Sequence, residues 1–303
     1  MKIGVAGTGR MGTAIVRRLL GCGHEVHVWN RTRDNARAAL EAGAAWAPSL
    51  ATLVRESGTV ITFLLDNAAV EDVYLRDGGL LSAGAPGRTF IDMSTVTPRT
   101  HLHIAREAAS RGAGFVECPV SGSIAAAQTG ALVGFAAGET ASFTQAQALL
   151  AQLCRRVEHV GPLGTGTRMK LAANLLLIVF WEALGEALAV ADFPGTRAAL
   201  AIDLLADSNI GATLLRARGP QVAAAFEGPA SGPPAFDVDT MRKDLGYMFQ
   251  EATARGISLP LVLRTLECFD RTSREGMGAL DSVAYPAYVV NQQAPRVAVD
   301  AGD

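Results

Sequence analysis

Nothing in this sequence is set aside for nucleic acid. Lysine and arginine number 27 against 29 aspartate and glutamate, for a net charge of −2. There is no basic excess to meet a phosphate backbone, and no block of like charge to mark a disordered tail. The four cysteines (Cys22, Cys118, Cys154, Cys268) form no CxxC pair and no zinc spacing, which fits reduced thiols in a cytoplasm. The five histidines include no HExxH, and His101 and His103, two apart, fall on different helix faces; no protein-bound metal is expected. Met1-Lys2 leads straight into a strand pattern, so no signal peptide is expected. Internal repeats and low-complexity tracts are absent. The longest apolar stretch, Gly161 to Asp192, is interrupted by Lys170, Asn174, Glu182 and Glu186, which argues against a membrane span.

What is there is an ordinary globular composition, 49% hydrophobic and 18% charged over 303 residues, long enough for two domains. Lys2 to Ala6 is a short apolar strand of the kind found inside a parallel sheet. Gly7-Thr8-Gly9-Arg10-Met11-Gly12 follows at once, Met11 to Leu20 reads as a helix, and Glu25 to Trp29 as a second strand. A bare GxGxxG also marks plain turns. Between a strand and a helix of one βαβ unit it points to dinucleotide binding, with the pyrophosphate on the helix N-terminus.

The residue about twenty positions beyond such glycines selects the cofactor, because a carboxylate there binds the ribose 2′-hydroxyl and repels a 2′-phosphate. Here the second strand ends in Asn30-Arg31-Thr32-Arg33. Two guanidiniums and a hydroxyl suit a phosphate; the competing reading is a solvated basic turn. NADP(H) is expected over NAD(H).

Further strands are expected at Thr59 to Leu64, Arg88 to Asp92, Gly114 to Glu117, Ala131 to Ala136 and Arg156 to Val160. Asp66-Asn67 and Ser94-Thr95 fall just past strand ends, where open α/β sheets bind ligands. Either pair could equally cap the next helix. Cys118-Pro119-Val120-Ser121-Gly122-Ser123 could present N–H and O–H donors to one anion, or be ordinary loop composition. The long apolar stretch opens with glycines that permit close backbone approach. As a helix it should be buried on most sides. Lys170 and Asn174 lie one turn apart on it; the lysine either meets a polar partner or snorkels to solvent. Beyond it the pattern is helical: Arg197 to Asp207, Ile210 to Ala225, Asp239 to Arg255 and Leu259 to Glu275. Lys243-Asp244 on such a helix is ordinarily a solvated pair. A frayed tail is expected from Asn291.

Taken together, GTGRMG, DMSTVTP (Asp92 to Pro98), CPVSGS with Gly130 downstream, GTGTRMKLAAN, Phe236 with MRKDLG, and GMGALDS (Gly276 to Ser282) resemble the motifs of the β-hydroxyacid dehydrogenase family. The resemblance runs from Met1 to about Tyr288. It implies an α/β Rossmann-type N-terminal domain (1–162) and an all-α C-terminal domain (193–290). A long interdomain helix (163–192) would join them, and a flexible tail (291–303) would follow. It implies an NADP-dependent oxidoreductase interconverting a small β-hydroxy acid and its semialdehyde or keto acid. Lys170 would be the general acid and base. Ser121, Gly122 and Asn174 would hold the substrate's carboxylate and hydroxyl, and Lys243 would close the site with Asp244 orienting it. Gly7, Gly9, Arg10, Met11, Gly12, Asn30, Arg31, Thr32, Leu64, Leu65, Ser94, Thr95 and Lys243 would contact the cofactor. The expected partners are a small carboxylate-bearing substrate and a second copy of the chain, covering the long helix, with neither nucleic acid nor membrane.

Three departures stand out against the family pattern. Ser123 occupies a usual glycine beside the substrate, Ala173 a frequent asparagine, and Leu65 a common proline. Two competing readings share the architecture. An imine reductase typically has Asp or Tyr at the Lys170 position. A catalytically silent NADP-binding protein should lack the lysine or the serine-glycine pair.

Overall fold

The computed structural model describes residues 1–82, 85–191, 197–208, 213–228 and 233–293. It divides into two compact units, Met1–Ala173 and Asn174–Asp303. The division falls inside the long helix, at Asn174, rather than at the helix start.

The first unit alternates strands and helices: β1 (Lys2–Ala6), α1 (Arg10–Gly21), β2 (Glu25–Trp29), α2 (Arg37–Glu41), β3 (Ala45–Trp46), α3 (Leu50–Glu56), β4 (Thr59–Thr62), α4 (Asn67–Leu75), β5 (Thr89–Asp92), α5 (Pro98–Ser110) and β6 (Gly114–Glu117). Then follow β7 (Val120–Ser121), α6 (Ile124–Thr129), β8 (Leu132–Gly138), α7 (Thr140–Leu153), β9 (Cys154–His159) and the start of α8 (Thr165–Ala191). The sheet order is β3-β2-β1-β4-β5-β6-β8-β7, with β9 beside β8. Strands from β3 to β6 are parallel, and β8 joins β6 antiparallel. The first six strands thus have the doubly wound dinucleotide-binding order, which reverses between β1 and β4.

Alternation along each strand explains why helices cover both faces. Ile61, Ile91 and Val116 pack in one core with Ile15 and Leu19 of α1 and Leu150 of α7. Their neighbours Val60, Phe90 and Phe115 pack in the other, with Leu53 of α3, Tyr74 of α4 and Ile104 of α5. The expected strand to Leu64 ends at Thr62: Phe63 N still bonds to Ala6 O at 3.0 Å, but Leu64 N donates to the Ser94 hydroxyl in place of a strand carbonyl. Local caps place the next helices: Asp66 accepts from Ala69 N at 2.8 Å, and Thr97 caps α5 with Pro98 in the first turn. Of the two pairs, Asp66 takes the capping role, whereas α5 is capped by Thr97 and not by Ser94 or Thr95, Ser94 accepting instead from Leu64 N.

The second unit holds the rest of α8 with α9 (Ala198–Asp207), α10 (Thr213–Ala224), α11 (Val238–Ala254), α12 (Pro260–Thr272) and α13 (Tyr285–Gln293). Gly185, the breaker in the middle of α8, is explained by α13: a Cβ there would stand 2.8 Å from Val289 Cβ. Tyr285 stacks on Phe269 at 4.2 Å and donates to Glu182 Oε2 at 2.6 Å. By length and composition Thr165–Ala189 could cross a membrane. Its polar side chains Asn174 and Glu182, however, are paired with protein groups, as in a packed domain.

Two expectations need correction. The long helix is not buried on most sides, since Met169 and Leu176 are exposed, Leu176 by 73%. Apolar composition sets what a helix can bury, and only the stripe facing other elements is covered within one chain. The tail does not begin at Asn291, because α13 continues to Gln293. The expected helix start at Ile210, Asp192, and residues 294–303 lie outside the described residues.

Candidate active site

The carboxyl ends of the parallel strands carry the first group of residues. Gly7 has φ +98°, and a Cβ on it would stand 2.2 Å from Phe63 O; a Cβ on Gly12 would stand 2.0 Å from Gly7 O. Both positions therefore require glycine. A Cβ on Gly9 would meet nothing within 4 Å. Gly9 caps α1 without any side-chain acceptor, and the first turn holds no acidic residue. The result is an open helix N-terminus with backbone access, the cradle a pyrophosphate fits. Arg10 is exposed at the first helical position, and Met11 packs on the core beneath.

Asn30 stitches this loop to the end of β2. Its Oδ1 accepts from Thr8 N at 3.1 Å, and its Nδ2 donates to Thr32 O at 2.8 Å. No carboxylate occupies that strand end. Arg31, Thr32 and Arg33 are exposed, and the Arg33 guanidinium lies 5.6 Å from the centre of the Trp46 ring. Further along the edge, Leu64 N donates to Ser94 Oγ at 2.8 Å, and Thr97 N to Asn67 Oδ1 at 2.9 Å. Leu65 is exposed by 67% and Thr95 is half-buried. The dinucleotide-type residues of the first unit are thus gathered along one sheet edge.

Past β6 the chain reaches Ser121, half-buried, then Gly122 at φ +146°, where a Cβ would stand 2.7 Å from Leu132 Cδ2. Ser123 has a local task that explains its departure from glycine: its hydroxyl caps α6, accepting from Ala126 N at 3.2 Å.

Sequence reasoning missed a buried ionic cluster beneath this edge. Glu117, at the end of β6, inserts its carboxylate into the first turn of α8. Oε1 accepts from Gly164 N and Gly166 N, each at 2.8 Å, and from Thr167 N at 3.3 Å. Oε2 accepts from Thr167 Oγ1 at 2.9 Å and from His101 Nδ1 at 2.8 Å. His101 Nε2 donates to Asp92 Oδ1 at 3.0 Å. Asp92 also accepts from Ser94 N and, through Oδ2, from Thr62 Oγ1. Asp92, His101, Glu117 and Thr167 are all fully buried.

Both ring nitrogens of His101 face carboxylate oxygens, with Thr167 Oγ1 also 2.7 Å from Nδ1, and these surroundings favour the imidazolium. Burial alone would lower its pKa. The hydrogen bonds and charges of Asp92 and Glu117 outweigh that and raise it to about 9. The carboxylates sit on opposite ring nitrogens and do not converge on a point where a cation could bind. One signal was available in the sequence: His101, Ile104, Ala105 and Ala108 follow the buried stripe of α5.

Lys170 is half-buried on α8, three residues after Thr167 and four before Asn174. In the second unit Asn174 is buried and donates from Nδ2 to Asp244 Oδ2 at 2.7 Å. Asp244 is only 2% exposed, and its Oδ1 lies 3.1 Å from Lys243 Nζ, an ion pair whose geometry falls short of a hydrogen bond. Lys243 also lies 5.3 Å from the centre of the Tyr247 ring. The solvated-pair reading of Lys243-Asp244 therefore does not hold, since the carboxylate is interior and shared between an amide and an ammonium.

Two family models match the chain. One, described as the NAD binding domain of 6-phosphogluconate dehydrogenase, covers residues 2–161. The other, described as NAD-binding of NADP-dependent 3-hydroxyisobutyrate dehydrogenase, covers 164–288. Glyoxylate/succinic semialdehyde reductase 1 of Arabidopsis thaliana is 32% identical over 93% of this chain and 96% of its own. The 3-hydroxyisobutyrate dehydrogenase of Pseudomonas aeruginosa is 32% identical over 86% and 88%. Among solved structures, Psf3 in complex with NADP+ and 2-OPP is 26% identical with a TM-score of 0.84, covering 95% of this chain and 99% of that one.

Proposed function

The chain belongs to the β-hydroxyacid dehydrogenase family, and from that premise we propose that it interconverts a small β-hydroxy acid and its semialdehyde or keto acid with NADP(H), Lys170 acting as general acid and base. The observation that carries this reading is Lys170 itself, a half-buried residue on the second turn of α8, in the helix whose first turn is tied to the ends of β5 and β6. Relatives with 32% identity bear the names of enzymes for glyoxylate, succinic semialdehyde and 3-hydroxyisobutyrate. All three are short carboxylate-bearing compounds.

The nicotinamide, when bound, supplies or accepts the hydride. Gly7, Gly9, Arg10, Met11 and Gly12 would hold the pyrophosphate. Asn30, Arg31 and Thr32 would hold the adenosine ribose with its 2′-phosphate, and Leu64, Leu65, Ser94 and Thr95 would line the remaining edge. The exposed Arg31-Thr32-Arg33 turn, with Asn30 rather than a carboxylate at the end of β2, supports NADP(H) over NAD(H). In reduction the Lys170 ammonium gives its proton to the oxygen becoming an alkoxide; in oxidation the neutral amine takes the hydroxyl proton. Ser121 and Gly122 supply O–H and N–H donors to the substrate carboxylate, and Ser123 limits its size. Asn174 and Lys243, each held by Asp244, are the substrate-directed groups of the second unit. A cytoplasmic homodimer completes the reading, and the exposed apolar positions Met169 and Leu176 on α8 support the second copy.

The experiment is NADPH oxidation against a panel of short semialdehydes, glyoxylate and cyclic imines. Turnover of a carboxylate-bearing aldehyde and none of the imines is expected. Turnover of the imines alone would replace this reading with imine reduction.

A further inference from the structure

We propose that Glu117, braced by His101, is a positioning residue for the reaction: it fixes the first turn of α8 and thereby sets where the Lys170 amine stands against the sheet edge. The proposal rests on Lys170 as the proton-transfer group and adds how that group is held.

Helix capping alone does not account for the cluster. Among the described residues, five helices are capped by the side chain of their own N-cap residue: α3 by Ser49, α4 by Asp66, α5 by Thr97, α6 by Ser123 and α11 by Asp237. Each of those side chains takes one backbone N–H. The cap of α8 comes instead from a strand end 47 to 50 residues earlier and takes three. It is built for close approach, since a Cβ on Gly166 would stand 2.3 Å from Phe135 O and 3.1 Å from Glu117 Oε1. Gly164, at φ +90°, admits the turn that aims its N–H inward.

The cluster also has a direction. From Leu64 N it runs through Ser94, Asp92 and His101 to Glu117, and from there to Gly166 and Thr167. One end is the edge expected to line the cofactor, and the other is the helical turn before Lys170. Thr167 and Lys170, three apart, share a helix face, so the residue bound to Glu117 stands one turn before the lysine. Four hydrogen bonds from this turn converge on the one carboxylate, which ties the turn to the end of β6. A displacement of about 1 Å in a reacting group can cost on the order of 10²-fold in rate, so a helix that must place an amine benefits from such a lock.

The test is a set of double-mutant cycles. Glu117→Gln and Thr167→Val are each made with Lys170 and with Lys170→Ala, and kcat, KM, NADPH affinity and Tm are measured for all. Hydrogen exchange over residues 161–170 reports the lock directly. With Lys170 present, Glu117→Gln should lower kcat by about 10- to 100-fold while KM and NADPH Kd stay within about twofold. With Lys170→Ala the same substitution should change the residual kcat less than about twofold, because it acts through the amine. Exchange over 161–170 should accelerate in both backgrounds. Should Glu117→Gln not yield folded protein, Thr167→Val reads the same cycle with a smaller fall of about 3- to 10-fold. Equal losses with and without Lys170, or a loss shared by NADPH Kd, would overturn the proposal. Normal turnover by Lys170→Ala alone would instead remove the general acid and base itself, and this positioning role with it. A fall in Lys170→Ala beside unchanged Glu117 and Thr167 variants would remove only the positioning role.

Discussion

Two helices of this chain are entered through the same tripeptide, Gly-Thr-Gly, which ends just before α1 and runs into the first turn of α8, and their N-termini have opposite surroundings. At α1, Gly7-Thr8-Gly9 leaves the helix end open: Gly9 is exposed, nothing lies within 4 Å of a Cβ built on it, and the first turn carries no acid. At α8, Gly164-Thr165-Gly166 leaves no room at all, because Phe135 O and Glu117 press against Gly166. A helix N-terminus carries about half a positive charge and several unpaired N–H groups. The first leaves them for an external anion, while the second fills them with the protein's own buried carboxylate. Glycine alone therefore says little about binding; the residue that comes to meet it decides. An open end suits a cofactor that must enter and leave. A closed end suits a helix whose next turn has to stay still.

The contrast can be broken from either side. The largest effect is expected at Lys170. Lys170→Ala keeps a strong helix former in α8, so folding and NADPH binding should persist while turnover falls by about 10²–10⁴-fold. Lys170→Arg should restore little, because guanidinium holds its proton too tightly to cycle. Steady-state reduction beside a cofactor titration separates the two; near-normal turnover would make the lysine a snorkelling residue.

On the open side, Arg31→Ala should remove a charge-assisted phosphate contact of about 1.5–3 kcal/mol. NADPH would then bind tenfold or more weakly and NADH nearly as before. Equal affinity of the unmodified protein for both cofactors would count against the basic turn as a phosphate site.

On the closed side, the imidazolium makes stability depend on pH. His101 is held at about 9 in the fold, against an ordinary value of about 6.5. Its contribution is therefore fully present below about pH 6.5 and is lost as pH rises through about 9. Melting from pH 6 to 10 should show the unmodified protein losing Tm over that window more steeply than His101→Gln. Parallel profiles would mean that the ring is neutral and one carboxyl carries the proton.

How much of this was legible follows the same division. The open end is a local pattern: strand, GxGxxG, helix and second strand stand within thirty residues, and the missing acid after β2 is read directly from Asn30. Even there, the hydrogen bond from Thr8 N to Asn30 Oδ1 follows from the folded loop and from no sequence pattern. The closed end is assembled from Asp92, His101, Glu117 and Thr167, which lie on β5, α5, β6 and α8. No spacing rule connects four separate elements, and only the buried stripe of α5 hinted that His101 points inward. Ser123 shows a second gap. The family pattern marks it as a side chain beside the substrate, and its further role as the cap of α6 emerges only from the fold.

The smallest effect is expected at that serine. Replacing a serine cap by glycine costs only a few tenths of a kcal/mol, so Ser123→Gly should fold normally and bind cofactor unchanged. Its tolerance for bulkier acids should widen. An unchanged substrate profile would leave the hydroxyl with its capping role alone.

The opposed uses of the two helix ends are tested most directly by one titration, NADPH binding to Gly9→Val and to Thr167→Val, with Tm recorded for each. Gly9 has extended backbone and open space around it, so valine there should leave Tm unchanged while blocking backbone approach to the pyrophosphate. NADPH should bind at least about tenfold more weakly, a loss of roughly 1.4 kcal/mol. Thr167→Val should lower Tm and leave the NADPH Kd within about twofold. Unchanged NADPH affinity in Gly9→Val, or an equal loss in both variants, would contradict the assignment of the open end to the cofactor and the closed end to the helix that carries Lys170.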